Sequence, residues 1–141
     1  MSERLVYLSG ELVPESEARI SIFDTAVSLG YTVTESTRTF AHQPFKLDRH
    51  IDRLFKSLKI ARIDIGLSPD QLASETMELL GRNQQLCQPH EDYWIVHNIS
   101  SGVTLEANSR PTATRPVGSS KKPSSSWKPR TPVRRDWRVS Q

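Results

Sequence analysis

The chain has 141 residues and a formal net charge of +3 at neutral pH, which leaves room for one modest domain. Cys87 is the lone cysteine, so no disulfide framework exists, and His42, His50, His90 and His97 lack metal-ligand spacing, so no metal site is expected. No run approaches the roughly twenty apolar residues that cross a bilayer, and the N-terminus carries charges where a secretory signal needs an apolar core, so a soluble, cytoplasmic protein without a membrane partner is expected.

Charge divides the chain near Val103. Residues 1–103 hold ten Lys/Arg and fourteen Asp/Glu, a net −4. Residues 104–141 hold nine Lys/Arg against Glu106 and Asp136, a net +7. The basic character therefore belongs to the second stretch.

Leu5–Leu8 and Glu11–Val13 read as a β-hairpin joined by Ser9-Gly10 and closed by Pro14. Ile20-Ser21-Ile22-Phe23 alternates and leads to Asp24. The segment DTAVSLGY, Asp24–Tyr31, is less regular, with Gly30 able to take a backbone shape that other residues resist. Thr32–Phe40, TVTESTRTF, is rich in β-branched residues and reads as a long strand. Val33, Glu35, Thr37 and Thr39 share one face; Thr32, Thr34, Ser36, Arg38 and Phe40 share the other. Neither face is plainly apolar. That pattern suits an edge strand with a wet face, or a strand lining a polar pocket.

Phe45-Lys46-Leu47 reads as a short strand running into a helix. In FKLDRHIDRLFKSLK, Phe45–Lys59, the residues Ile51, Leu54, Phe55 and Leu58 fall at i, i+3, i+4 and i+7, one buried helical face. Asp48 is placed to cap the first turn. Arg53 points away from the apolar stripe, where periodicity alone makes it a solvated arginine. Ser68-Pro69-Asp70-Gln71 is a helix start with a capping box and proline at the first helical position. Leu72, Met77, Leu79 and Leu80 give that helix its apolar surface, to about Arg82. DYWIVHNISS, Asp92–Ser101, is the most hydrophobic strand, and its apolar residues on both faces predict a central position.

From Thr104 onward, Pro111, Pro116, Pro123, Pro129 and Pro132 alternate with serine and arginine, and the sparse apolar residues have no period. Such a stretch cannot bury enough surface to offset its ordering entropy, so a disordered basic tail is expected. The predicted architecture is α+β: a small, mostly antiparallel sheet with two helices over residues 1–103, then the tail at 104–141.

Laid out in this order, residues 1–103 resemble the small N-terminal domain of the class IV (fold-type IV) pyridoxal-phosphate aminotransferases, the family of branched-chain and D-amino-acid aminotransferases and of aminodeoxychorismate lyase. VYLSGELVPESEARISIFD resembles the family's opening hairpin and next strand. TVTESTRTF resembles its strand carrying glutamate and arginine after a glycine. PFKLDRHIDRLFKSLK resembles its helix with an H-x-x-R-L core, and DYWIVHNISSG its later strand.

The resemblance implies pyridoxal phosphate as the family's cofactor, with Arg53 reaching its phosphate, although the family holds it between two domains and this chain alone is not expected to bind it. A guanidinium suits that role, being permanently charged and offering a planar fork of donors. It also makes Glu35 and Arg38 candidate substrate-binding residues, though surface charges on a wet strand remain an equal alternative. The implied reaction transfers an amino group between an amino acid, branched-chain or D-, and a 2-oxo acid, in a homodimer. Two positions depart from the family pattern: Leu29 stands before Gly30 where a tyrosine is common, and Ser101 stands before Gly102 where an arginine is usual.

The Schiff-base lysine of the family belongs to a larger second domain. Lys121, Lys122 and Lys128 lie outside its sequence context, so no catalytic residue is expected here and the chain as it stands is expected to be inactive. The tail has the composition of a reading frame shifted within a full-length aminotransferase gene. A non-catalytic domain with a basic tail for nucleic acid or an acidic partner is the alternative, although no nucleic-acid platform is legible in the tail.

Overall fold

The computed structural model describes residues 3–103 and 117–121. It is an α+β fold: one six-stranded antiparallel sheet in the order β2-β1-β6-β5-β3-β4, with helices packed on it. The strands are β1 (Leu5–Leu8), β2 (Glu11–Pro14), β3 (Thr32–Phe40), β4 (Gln43–Pro44), β5 (Tyr93–Ser100) and β6 (Val117–Lys121). The helices are α1 (Thr25–Ser28), α2 (Leu47–Ile60) and α3 (Pro69–Gln84).

The two long helices fall where the sequence puts them. On α2, Ile51, Leu54 and Leu58 are buried. Leu54 and Leu58 pack with Ile63, Ile65, Leu72 and Ile99. A second cluster joins Leu79 and Leu80 of α3 to Tyr7, Tyr93 and Ile95 of the sheet. Asn83, buried at the end of α3, reaches β1: its amide oxygen accepts from the Leu5 N–H and its amide nitrogen donates to the Leu5 carbonyl, each at 2.8 Å.

At the start of α3 the capping box is complete. The Ser68 hydroxyl accepts from the Gln71 N–H at 3.2 Å, and the Gln71 side chain accepts from the Ser68 N–H at 2.8 Å. Ser68→Ala is expected to lower unfolding stability by ~1 kcal/mol, read as a lower urea midpoint at unchanged slope. A midpoint equal to that of the wild type would show that the Gln71 half of the box suffices.

Several local expectations need correction. Asp48 does not cap α2; it lies within the first turn, where its charge suits the helix dipole. The cap position is Lys46, in a left-handed conformation with φ 49° and without a side-chain cap bond. The entry is held instead at Phe45, whose N–H donates to the Arg38 carbonyl at 2.9 Å and whose carbonyl accepts from the Thr37 hydroxyl at 2.8 Å. The short strand before α2 is Gln43–Pro44 rather than Phe45–Leu47. Ile20–Phe23 forms no strand, and Ile22 and Phe23 are exposed. Alternation alone had no neighbouring strand to pair with there.

The central position of β5 is confirmed, between β3 and β6. Only one of its faces is buried, however: Tyr93, Ile95, His97 and Ile99 turn inward while Trp94 is exposed. The stretch expected to form a tail contributes β6, which pairs with β5 from Tyr93↔Lys121 to His97↔Val117 and with β1 at Tyr7↔Val117. The edges of β1 and β5 offer this segment backbone partners on both sides, which an apolar-periodicity criterion does not detect. The rest of the expected tail, 104–116 and 122–141, lies outside the described residues.

Candidate functional site

The face of β3 that looked too polar for a core is the one that is buried. Glu35, Thr37 and Thr39 are at most 6% exposed. Each polar group there has a partner, which makes such burial tolerable. The Thr37 hydroxyl donates to the Phe45 carbonyl, and the Thr39 hydroxyl donates to the Asp92 carboxylate at 2.9 Å.

Glu35 receives its partners from α2, which crosses this face. Arg53 grips the carboxylate as a fork, Nε to Oε2 and Nη2 to Oε1, both at 2.6 Å. His50, one helical turn earlier, brings Nδ1 to 2.9 Å from Oε1, and the Ser36 N–H donates to the same oxygen at 2.9 Å. A carboxylate only accepts, so Nδ1 of His50 carries the proton. The Arg53 bonds, against the opposing effect of burial and with help from His50 and Ser36, push the Glu35 pKa down to about 2. Glu35 also drives the Arg53 pKa up.

Arg53 is thus neither a free solvated arginine nor a core residue. Its side chain is 66% exposed while its partner is 6% exposed. One edge of the guanidinium is pinned on Glu35. Nη1 makes no hydrogen bond among the described residues. The result is a cation of fixed orientation that presents donors outward, a shape suited to an anion with several oxygens.

Arg38 is not part of this group. Its alternation in β3 puts it on the opposite, exposed face, with its guanidinium 4.3 Å from the centroid of the Phe40 ring. Its register partner across the sheet is Trp94, also exposed. The fold therefore joins Arg53 to Glu35 and separates both from Arg38. His50 was not singled out from the sequence. The signal was available, since His50 and Arg53 are three apart and share a helix face.

Of the two departures, Ser101 has a local role. The Ser101 hydroxyl lies 2.9 Å from the Thr25 hydroxyl, and the Thr25 N–H donates to the Gly102 carbonyl at 3.0 Å, so the end of β5 holds α1. Leu29 is 73% exposed beside Gly30, whose φ of +66° accounts for the glycine.

The family model described as amino-transferase class IV matches residues 32–141. The chain belongs to the class IV aminotransferases. The matched span takes in residues 104–141, which the sequence reading had set outside the resemblance. A putative branched-chain-amino-acid aminotransferase of Methanocaldococcus jannaschii is 37% identical over 78 residues, 55% of this chain and 27% of that protein. A D-alanine aminotransferase of Bacillus licheniformis is 36% identical over 80 residues, 57% of this chain and 28% of that one. The chain thus matches little more than a quarter of the length of these relatives. A solved branched-chain amino acid aminotransferase with pyridoxamine 5'-phosphate, from the organism abbreviated T.th., superposes with a TM-score of 0.69 at 27% identity, over 84% of this chain and 40% of that one.

Proposed function

We propose that this class IV aminotransferase chain supplies the phosphate-facing half of a pyridoxal-phosphate site for amino-group transfer between an amino acid and a 2-oxo acid. The observation that carries this reading is the Arg53 fork on buried Glu35, which leaves donors directed outward. Those donors fit the cofactor's phosphate dianion, whose oxygens accept from a rigid guanidinium edge. Glu35 and His50 act through Arg53, fixing its orientation. The bound cofactor supplies an electron sink for the substrate carbanion.

Arg38, exposed on the other face and stacked on Phe40, is the proposed contact for a substrate carboxylate. Glu35 is withdrawn from that role, because both of its oxygens are occupied. The exposed Ile22, Phe23, Val27 and Leu29 are the proposed contact area for a second domain and a second subunit.

The test compares pyridoxal 5'-phosphate with pyridoxal in titrations of the 141-residue chain. The phosphorylated form is expected to bind at least ~10-fold more tightly, and Arg53→Gln to remove that advantage. Arg53→Lys should restore only part of it, because an ammonium cannot hold Glu35 and face the ligand as a fork. Equal binding of the two compounds, or an unchanged ratio in Arg53→Gln, sinks the assignment.

A further inference from the structure

His97 is fully buried on β5 and stands directly across the strand pair from Glu35. Its Nε2 lies 2.9 Å from the Thr76 hydroxyl of α3. That hydroxyl is 2.7 Å from the Leu72 carbonyl oxygen, to which it donates. A hydroxyl has one proton, so toward His97 it accepts and Nε2–H donates. The ring is therefore the Nε2–H tautomer, and Nδ1 is a bare acceptor. No donor reaches Nδ1 among the described residues.

We propose that Thr76 and His97 form an acid-sensitive device beneath the Glu35–Arg53 fork. With His97 neutral, the Glu35 carboxylate belongs to Arg53. A proton on Nδ1 creates a second, buried cation that draws the carboxylate inward and loosens Arg53. This regulates the site described above, and its consequence for ligand binding rests on the phosphate reading.

The surroundings of the ring favour this exchange. From β3 the facing charge is Glu35; from α2 come His50 and Arg53, both already on that carboxylate. From α3 the contact is Thr76, and from β6 the register partner is Val117. Glu35 is the one anion in that set. An Nδ1–H without an acceptor is costly in the core, so the protonated ring must recruit one. Burial holds the His97 pKa at about 4, with the Glu35 charge opposing burial. Glu35 itself stays ionised down to about 2. Between those values a buried cation and a buried anion coexist on neighbouring strands.

The experiment follows the side-chain nitrogens of His97 and the Nε–H proton of Arg53 by NMR in the full 15N-labelled chain. At about pH 7 the ring is expected to show the Nε2–H pattern, and the Arg53 Nε–H to resonate downfield of an exposed arginine. As His97 titrates, the Arg53 proton should move toward the exposed position while β3 and β5 amides stay protected. In His97→Gln it should remain in place over the same range. At the same neutral pH, Thr76→Val should shift the ring toward Nδ1–H, and Thr76→Ser should not. A wild-type ring already in the Nδ1–H form overturns the proposal. So does an Arg53 signal indifferent to His97, or loss of amide protection before His97 titrates. Binding of pyridoxal 5'-phosphate is measured separately, so failure of the phosphate assignment leaves the Arg53 signal interpretable.

Discussion

Leu54→Ala is expected to lower unfolding stability by about 3 kcal/mol, within the ~2–5 kcal/mol range for leucine truncations in cores. Leu54 is 0% exposed, at the centre of the contact between α2, α3 and the sheet. Its neighbours Leu58, Leu72 and Ile99 come from three different elements, each held by other contacts, so they cannot all close on the space left behind. Ile60, on the same helix but 85% exposed, is the control: Ile60→Ala should change stability by no more than ~0.5 kcal/mol. Urea unfolding of the three proteins at neutral pH decides the matter. A loss below ~1 kcal/mol for Leu54→Ala would mean that α2 is not fixed on the sheet as described. Because Arg53 precedes Leu54, the same packing that buries the leucine sets where the guanidinium can reach.

How much of this was legible from the residues follows from the kind of force at each place. Apolar periodicity placed α2 and α3, and a complete capping box marked the first residue of α3. The alternation in β3 separated Glu35 from Arg38 correctly into opposite faces. It left open which face was buried, because side-chain polarity was the only guide and the buried face is polar. The deciding fact is tertiary. Arg53 and His50 arrive from α2 to satisfy Glu35, and Asp92 arrives from the start of β5 to satisfy Thr39. Partners 15, 18 and 53 residues apart leave no local pattern. β6 escaped for a related reason, since its order comes from backbone ladders on both sides. His97 looked like one inward residue of a hydrophobic strand. Its tautomer and its orphaned nitrogen needed Thr76, which no spacing in the sequence connects to it.

Lowering the pH from about 6.5 to about 4 is expected to cost the folded chain about 3 kcal/mol through His97 alone. Burial holds the folded pKa at about 4 against the ordinary 6.5. Between those values the unfolded chain takes up a proton that the folded chain refuses, so stability rises with pH across the window and is lost as pH falls through it. Above about 6.5 both states are neutral at His97 and the dependence vanishes. Glu35 acts with the same sign but lower down, because its folded pKa is depressed to about 2 from 4.5. Its stabilisation is complete above 4.5 and disappears as pH falls toward about 2. The two windows barely overlap, so the range from about pH 7 to about pH 5 isolates the histidine. Urea midpoints across that range should slope in the wild type and run nearly flat in His97→Gln, whose amide cannot titrate yet retains an N–H to offer Thr76. His97→Gln can lower stability at every pH without affecting the inference, which rests on the slope. A wild-type midpoint that stays level from about pH 7 to about pH 4.5, or an equal slope in both proteins, would mean that His97 is not the neutral, desolvated ring found here between β5 and α3.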